Sequence, residues 1–68
     1  MKADAIKLRT SMFEQQISQA EISRKTGISR NTVNAICTGK PCGFEALSKV
    51  AGVLSMDPRE LILLEEVQ

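Results

Sequence analysis

Apolar residues recur along this chain at three- and four-residue spacings, which is the period of helices and not of strands. Together with the Ser, Gly, Asp and Pro residues between the apolar runs, this spacing predicts five helices. They cover about residues 3–15, 18–26, 29–38, 44–54 and 58–65. We therefore expect an all-α fold, built as one compact five-helix domain over residues 1–68.

The helix boundaries depend on capping residues. Ser18 and Glu21 have the spacing of a capping box at the start of the second helix. Gly27 ends that helix, because glycine tolerates the left-handed backbone of a tight turn, and Ser29 is the next N-cap. Gly39 and the proline that follows it two residues later end the third helix.

The last two helices carry most of the remaining apolar residues. The apolar stripe of the fourth helix consists of Phe44, Leu47, Val50, Ala51 and Leu54. The fifth helix begins at Asp57 and Pro58, with Glu60 at the capping-box position. This last helix is apolar over more of its circumference than one core contact needs, which indicates contact with another molecule.

Composition argues against most catalytic and metal-binding functions. The chain has no histidine, the commonest general base and metal ligand, and its length leaves little room for a catalytic cavity. Cys37 and Cys42 are too few for a zinc site; we expect reduced thiols in a cytoplasmic protein, with a disulfide between them as the alternative. We expect no enzyme activity, cofactor, metal, membrane segment or small-molecule ligand.

The net charge of +1 hides an uneven distribution along the chain. Residues 1–40 hold seven Lys and Arg against three acids, whereas residues 41–68 hold two against five. The first part is therefore net +4 and the second net −3. We expect one basic end of the molecule, suited to an anionic partner.

The second and third helices form a candidate helix-turn-helix unit. The turn between them contains Gly27, and Ile22, Ile28, Val33 and Ile36 have the spacing of its apolar anchors. The third helix then carries a polar run of mediocre helix formers, namely Arg30, Asn31, Thr32 and Asn34. Since helix stability alone would favour Ala, Leu, Glu or Lys at these positions, we expect another role for these side chains.

The run from position 18 to position 40, with "TGIS" at its turn, and the later "DPREL" resemble the Cro and lambda-repressor family of five-helix DNA-binding domains. The resemblance covers roughly residues 6–64. Ser23 stands where Ala is more common and Thr26 where an apolar residue is common, which predicts some loss of core packing. Cys42 and Gly43 also lengthen the approach to the fourth helix by one residue.

The resemblance implies where DNA would be bound. Base edges in the major groove would be read by Ser29, Arg30, Asn31, Thr32 and Asn34, since Arg matches guanine and Asn matches adenine. Phosphates would be held by Gln19, Thr38, Gly39 and Lys40. A homodimer on a pseudo-palindromic site would form through Leu61, Ile62 and Leu64, with core closure as the alternative role of this apolar cluster.

We therefore predict a transcriptional regulator that binds specific sequences of double-stranded DNA. It would act as a homodimeric repressor in a prokaryotic cytoplasm. Small regulators of this shape are typical of phages, mobile elements, restriction-modification systems and toxin–antitoxin pairs. The alternative is a protein-interaction module, such as an antitoxin or accessory protein, that uses the same helix for protein contacts. Salt-sensitive DNA affinity separates the two hypotheses.

Overall fold

A computed structural model describes residues 1–63. They form five helices: α1 (Ala5–Gln15), α2 (Gln19–Thr26), α3 (Arg30–Cys37), α4 (Phe44–Val53) and α5 (Pro58–Leu61). The predicted all-α, five-helix class is confirmed, and strand-like pairing within these residues is confined to two isolated bridges. Across the same stretch, no helix has the length and apolar character needed to cross a membrane.

Side-chain caps begin three helices where the sequence predicts them. The Ser18 hydroxyl accepts a hydrogen bond from the Glu21 amide at 3.1 Å, and the hydroxyl of Ser29 caps α3 in the same way. Asp57 and Glu60 form a complete capping box at α5. Because each cap satisfies an amide that the helix leaves without a partner, each stabilises its helix by about 1 kcal/mol.

α1 begins two residues later than predicted. Asp4 is extended and is the N-cap, with its carboxylate accepting a hydrogen bond from the Lys7 amide at 3.2 Å. Ala3 is predicted to open the helix, but it is buried and pairs with Ile62 in an isolated bridge. The Asp before the apolar run is an N-cap signal that apolar spacing alone overlooks.

α5 is shorter than predicted, because the helix ends at Leu61 and not near position 65. Ile62 has an extended backbone, with φ −80° and ψ 128°. The cause is pairing with the start of the chain: the Asp4 amide donates to the Leu61 carbonyl at 2.6 Å, and the Leu63 amide donates to the Lys2 carbonyl at 2.9 Å. Positions 64 and 65 of the predicted helix lie outside the described residues.

One core joins the five helices. Its large, fully buried side chains include Leu8, Ile22, Val33, Ile36, Leu47, Val50, Leu54 and Leu61. Phe44 departs from the predicted stripe of α4, since it is the first residue of the helix and is 49% exposed. α3 packs against α1 and α2 through its apolar face, which leaves its opposite face on the surface.

The N-terminal segment, residues 1–4, lies between two distant parts of the chain. On one side Lys2 forms a bridge with Pro41, and the Cys42 amide donates to the Met1 carbonyl at 2.7 Å. On its other side lies the extended chain that follows α5. The segment therefore ties the loop after α3 to the end of α5.

Candidate nucleic-acid interface

The turn between α2 and α3 depends on a glycine backbone. Gly27 has φ 79°, and its amide donates to the Ser23 carbonyl at 2.9 Å, which closes the end of α2. A Cβ atom at Gly27 would meet no atom within 4 Å. The turn therefore requires glycine for its left-handed backbone and not for space.

Two polar side chains of α2 hold the residue that follows this glycine. The Ser23 hydroxyl donates to the Ile28 carbonyl at 2.5 Å. The Thr26 hydroxyl accepts from the Ile28 amide at 3.1 Å and donates to the Ile22 carbonyl at 2.7 Å. Both backbone groups of Ile28 are thus satisfied. The sequence indicates only a packing cost for Ser23 and Thr26, whereas the structure gives them a role in fixing the turn.

α3 separates its apolar and polar side chains onto opposite faces. Its fully buried residues are Val33, Ile36 and Cys37. Its exposed residues are Arg30, Asn31, Thr32 and Asn34. The side chains of Arg30, Asn31 and Asn34 make no hydrogen bond or ion pair with any residue of the described chain. Because spacings of three and four residues bring helical side chains together, these three form one patch of free donors and acceptors.

Ser29 and Thr32 are partly committed to the helix itself. The Ser29 hydroxyl accepts from the Thr32 amide at 3.2 Å and donates to the Thr32 hydroxyl at 2.9 Å. The Thr32 oxygen is thereby engaged as an acceptor, and its own proton remains available for a base or phosphate oxygen. The two residues therefore cap the helix, and the base contact predicted for them from the sequence stays a prediction.

The predicted phosphate-binding residues after α3 differ in which of their hydrogen-bond donors remain free. The amides of Thr38, Gly39 and Lys40 donate to carbonyls of α3 at 3.0–3.3 Å. The Thr38 hydroxyl donates to the Ala35 carbonyl at 3.0 Å. These donors close the end of α3 and are not available to a phosphate. The Lys40 ammonium is exposed and has no partner among residues 1–63. At the end of α3, the predicted phosphate contact is therefore left to the Lys40 side chain.

Gln19 stands at the other predicted phosphate contact, as the first residue of α2. Ser18 caps the Glu21 amide, so the amides of Gln19 and Ala20 have no capping partner within the described chain. The first amides of a helix lie at the positive end of its dipole. This end of α2 is therefore chemically suited to a phosphate oxygen.

Cys37 lies on the buried side of α3. Its thiol contacts the sulfur of Met12 at 3.7 Å. Burial raises the pKa of the Cys37 thiol, and the positive charge of Arg9 offsets only part of this rise. Both Cys37 and Cys42 are free thiols in this structure, so no disulfide between them fixes the position of α3.

The structure describes two of the three predicted dimer residues, Leu61 and Ile62. Leu61 is fully buried in the core, which corrects its assignment to a dimer interface and leaves core closure as its role. Ile62 is half-buried and paired with Ala3. Leu64 lies outside the described residues.

Comparison with known proteins agrees with this geometry. The model of the Cro/C1-type HTH DNA-binding domain matches residues 7–66, nearly the whole chain. No curated protein and no solved structure matches the chain. The matched family consists of DNA-binding domains and not of enzymes. The family resemblance seen in the sequence is therefore confirmed, and the chain belongs to the Cro/C1-type helix-turn-helix family of DNA-binding domains.

Proposed function

We propose that this chain is a sequence-specific transcriptional regulator that reads the major groove of duplex DNA with the outer face of α3. The observation that carries the proposal is the patch of Arg30, Asn31 and Asn34, exposed and without partners in the described chain. Arg grips guanine O6 and N7, and Asn grips adenine N6 and N7. The buried opposite face fixes the orientation of α3 and therefore which side chains point outward.

Phosphate contacts on either side of α3 in the chain would set its register. Gln19 opens α2 before the turn, and Lys40 follows the end of α3. Such contacts are independent of sequence and supply a salt-sensitive part of the affinity. The role of Gln19 is to receive a phosphate at the α2 amides, and the role of Lys40 is to contribute a mobile positive charge.

We place two copies of the chain on each site. α3 has eight residues and is therefore about 12 Å long, which limits it to a few base pairs. A homodimer on a pseudo-palindrome reads two half-sites about 34–36 Å apart and doubles the recognised sequence.

Repression by occupancy is consistent with the charges on α2. Glu21 is the acid of this helix, and its carboxylate pairs with the Lys25 ammonium at 3.0 Å. Arg24 is exposed and has no partner in the described chain. α2 thus offers no free carboxylate for an activating contact, whereas blocking a promoter needs only a bound protein. We place this activity with the DNA of a prokaryotic cytoplasm.

Selection of bound duplexes from a random pool at two salt concentrations tests the function. Wild-type protein should enrich a two-fold-symmetric motif, with weaker recovery at the higher salt. The double variant Arg30→Ala, Asn31→Ala should fold, because both side chains are exposed, and should lose the motif. Absence of both an enriched motif and salt-sensitive binding would contradict the proposal and favour a protein-interaction module.

A further inference from the structure

The outer face of α1 carries two large apolar side chains that nothing in the described chain covers. Ile6 is 75% exposed and Phe13 is 85% exposed. Seven residues separate them, so they lie on one face, about 10 Å apart along the helix axis. Thr10 lies between them on the same face and is also exposed.

The Phe13 end of this face opens into a shallow surface groove. Its lining residues are Met12, Phe13, Glu14, Gln16, Ile17 and Ser18. Gln16 is left-handed, with φ 58°, and turns the chain away from the helix at this point. Met12 belongs to the core cluster and Ile17 packs against it, so the two give the groove an apolar floor. An apolar side chain from outside the molecule would fit there beside Phe13.

Two opposite charges flank this apolar pair on one side of α1. Lys7 and Glu14 are exposed, and neither has an ion-pair partner in the described chain. They are too far apart to pair with each other, since seven residues span about 10 Å of helix. Arg9, on the opposite flank, bends back along its own helix and donates to the Ala5 carbonyl at 3.4 Å.

We propose that this face binds α1 of a second copy of the chain, in antiparallel orientation about a two-fold axis beside Thr10. The antiparallel arrangement sets Ile6 of each copy against Phe13 and the groove of the other. The same rotation brings Lys7 of each copy to Glu14 of the other. This is because a two-fold axis perpendicular to both helices keeps the charged flanks of the two copies on the same side of the contact. A parallel arrangement would instead place the Lys7 and Glu14 side chains of the two copies on opposite flanks of the contact, where they would not pair. The face is therefore self-complementary, as an isologous contact requires.

The α1 face is separate from the DNA-reading face. The inner faces of α1 and α3 meet where the Met12 and Cys37 sulfurs lie 3.7 Å apart. Their outer faces are consequently directed away from this contact, and a partner on α1 leaves Arg30 and Asn31 uncovered. Self-association through α1 deepens the proposed function by assigning an interface to its homodimer, and it requires no contact with DNA.

Sedimentation velocity over a range of protein concentrations, without DNA, tests the proposal. The wild-type chain should dimerise, and Phe13→Ser should weaken dimerisation at least ten-fold. Lys7→Glu and Glu14→Lys should each weaken it several-fold at low salt, and the double variant with both changes should recover wild-type affinity. Both changes are at exposed positions, and they place a negative charge in the first turn of α1 and a positive charge in its last turn, as the helix dipole favours. Thermal melting checks that each variant is folded.

Arg30→Ala is the matched control, and it should leave dimerisation unchanged while it alters DNA selection. A wild-type monomer at all concentrations, a dimer insensitive to Phe13→Ser, or no recovery in the double charge variant would overturn the proposal. Dissociation by Ile62→Ser and not by Phe13→Ser would assign self-association to the chain after α5. Failure of DNA selection with an intact α1 dimer would count against the proposed function alone.

Discussion

Single residues of α3 divide into those that hold the helix and those that only face outward. Ser29 caps the helix and holds Thr32 through two hydrogen bonds. Arg30 is exposed and has no hydrogen bond or ion pair with the rest of the described chain. Removal of Arg30 should therefore change recognition while folding is retained.

Arg30→Ala should weaken binding to the preferred site by about 1–3 kcal/mol and relax specificity at one base position, because one bidentate base contact is lost. Fluorescence anisotropy on the selected site and its single-base variants measures both effects. Arg24→Ala removes an exposed cation of α2 and should reduce affinity alike for all sequences. An equal loss on every sequence for Arg30→Ala would identify a phosphate contact instead.

Thr26→Val tests the hydrogen bonds of the turn, because valine keeps the shape of threonine and lacks the hydroxyl. The Ile28 amide would lose its acceptor, and the free energy of unfolding should fall by about 1–3 kcal/mol. Urea denaturation measures the change, and Thr26→Ser, which keeps the hydroxyl, should cost less. Equal stability of Thr26→Val and wild type would show that packing dominates at this position.

At the level of whole elements, two glycines have opposite effects. Gly52 lies inside α4, and a Cβ atom there would meet nothing within 4 Å, so Gly52→Ala should raise the free energy of unfolding by about 0.5–1 kcal/mol. Gly27→Ala should lower it by about 1–2 kcal/mol, because the turn needs φ 79°. Thermal unfolding of the two variants is the measurement, and changes of the same sign would contradict this account.

The loop after α3 is predicted to contribute one charge to DNA binding. Lys40→Ala should weaken binding to all sequences and lower the slope of log affinity against log salt by roughly one unit. Lys49→Ala, at an exposed position of α4, is the control and should leave the slope unchanged. If the slope for Lys40→Ala equals that of wild type, the Lys40 ammonium stays in solvent.

Elements with local signals are the ones that sequence analysis predicts well. The caps of α2 and α3 and the Gly27 turn each depend on residues within a few positions, so these boundaries follow from the sequence. The start of α1 and the end of α5 differ from their predicted positions because residues 1–4 pair with distant residues. Apolar periodicity contains no information about such pairing.

The candidate site shows the same division. The exposed face of α3 follows from helical periodicity, because burial of Val33 and Ile36 determines which residues point outward. The hydrogen bonds of Ser23 and Thr26 depend on the three-dimensional turn and are not visible in residue spacing. The same holds for Thr38, whose donors are used within α3.

At the scale of the whole molecule, stability depends on a thiol proton in the core. The pKa of Cys37 is higher in the folded state, so its contribution is complete below the unfolded thiol pKa of about 8.5 and is lost as pH rises through the folded value. The free energy of unfolding should therefore decline above about pH 8.5, by at most about 1.4 kcal/mol per pH unit from this group.

Urea denaturation between about pH 7 and pH 10 measures this decline. Cys37→Ala should show a shallower pH dependence than wild type, because the buried titrating group is gone. Cys42→Ala is the matched control, because it removes the half-buried thiol and keeps the buried one. Identical pH dependence in wild type and Cys37→Ala would show that other groups account for the alkaline loss.

The unpartnered outer face of α3 has a consequence for the evolution of such regulators. The side chains of Arg30, Asn31 and Asn34 make no hydrogen bond or ion pair within the described chain. Ser29, in contrast, caps α3, and Val33 packs in the core. Under the proposed function, substitutions at those outward positions should change the preferred DNA sequence with little cost to folding. After duplication of its gene, one copy of such a domain can acquire a new set of targets in few mutational steps while the other retains the original set.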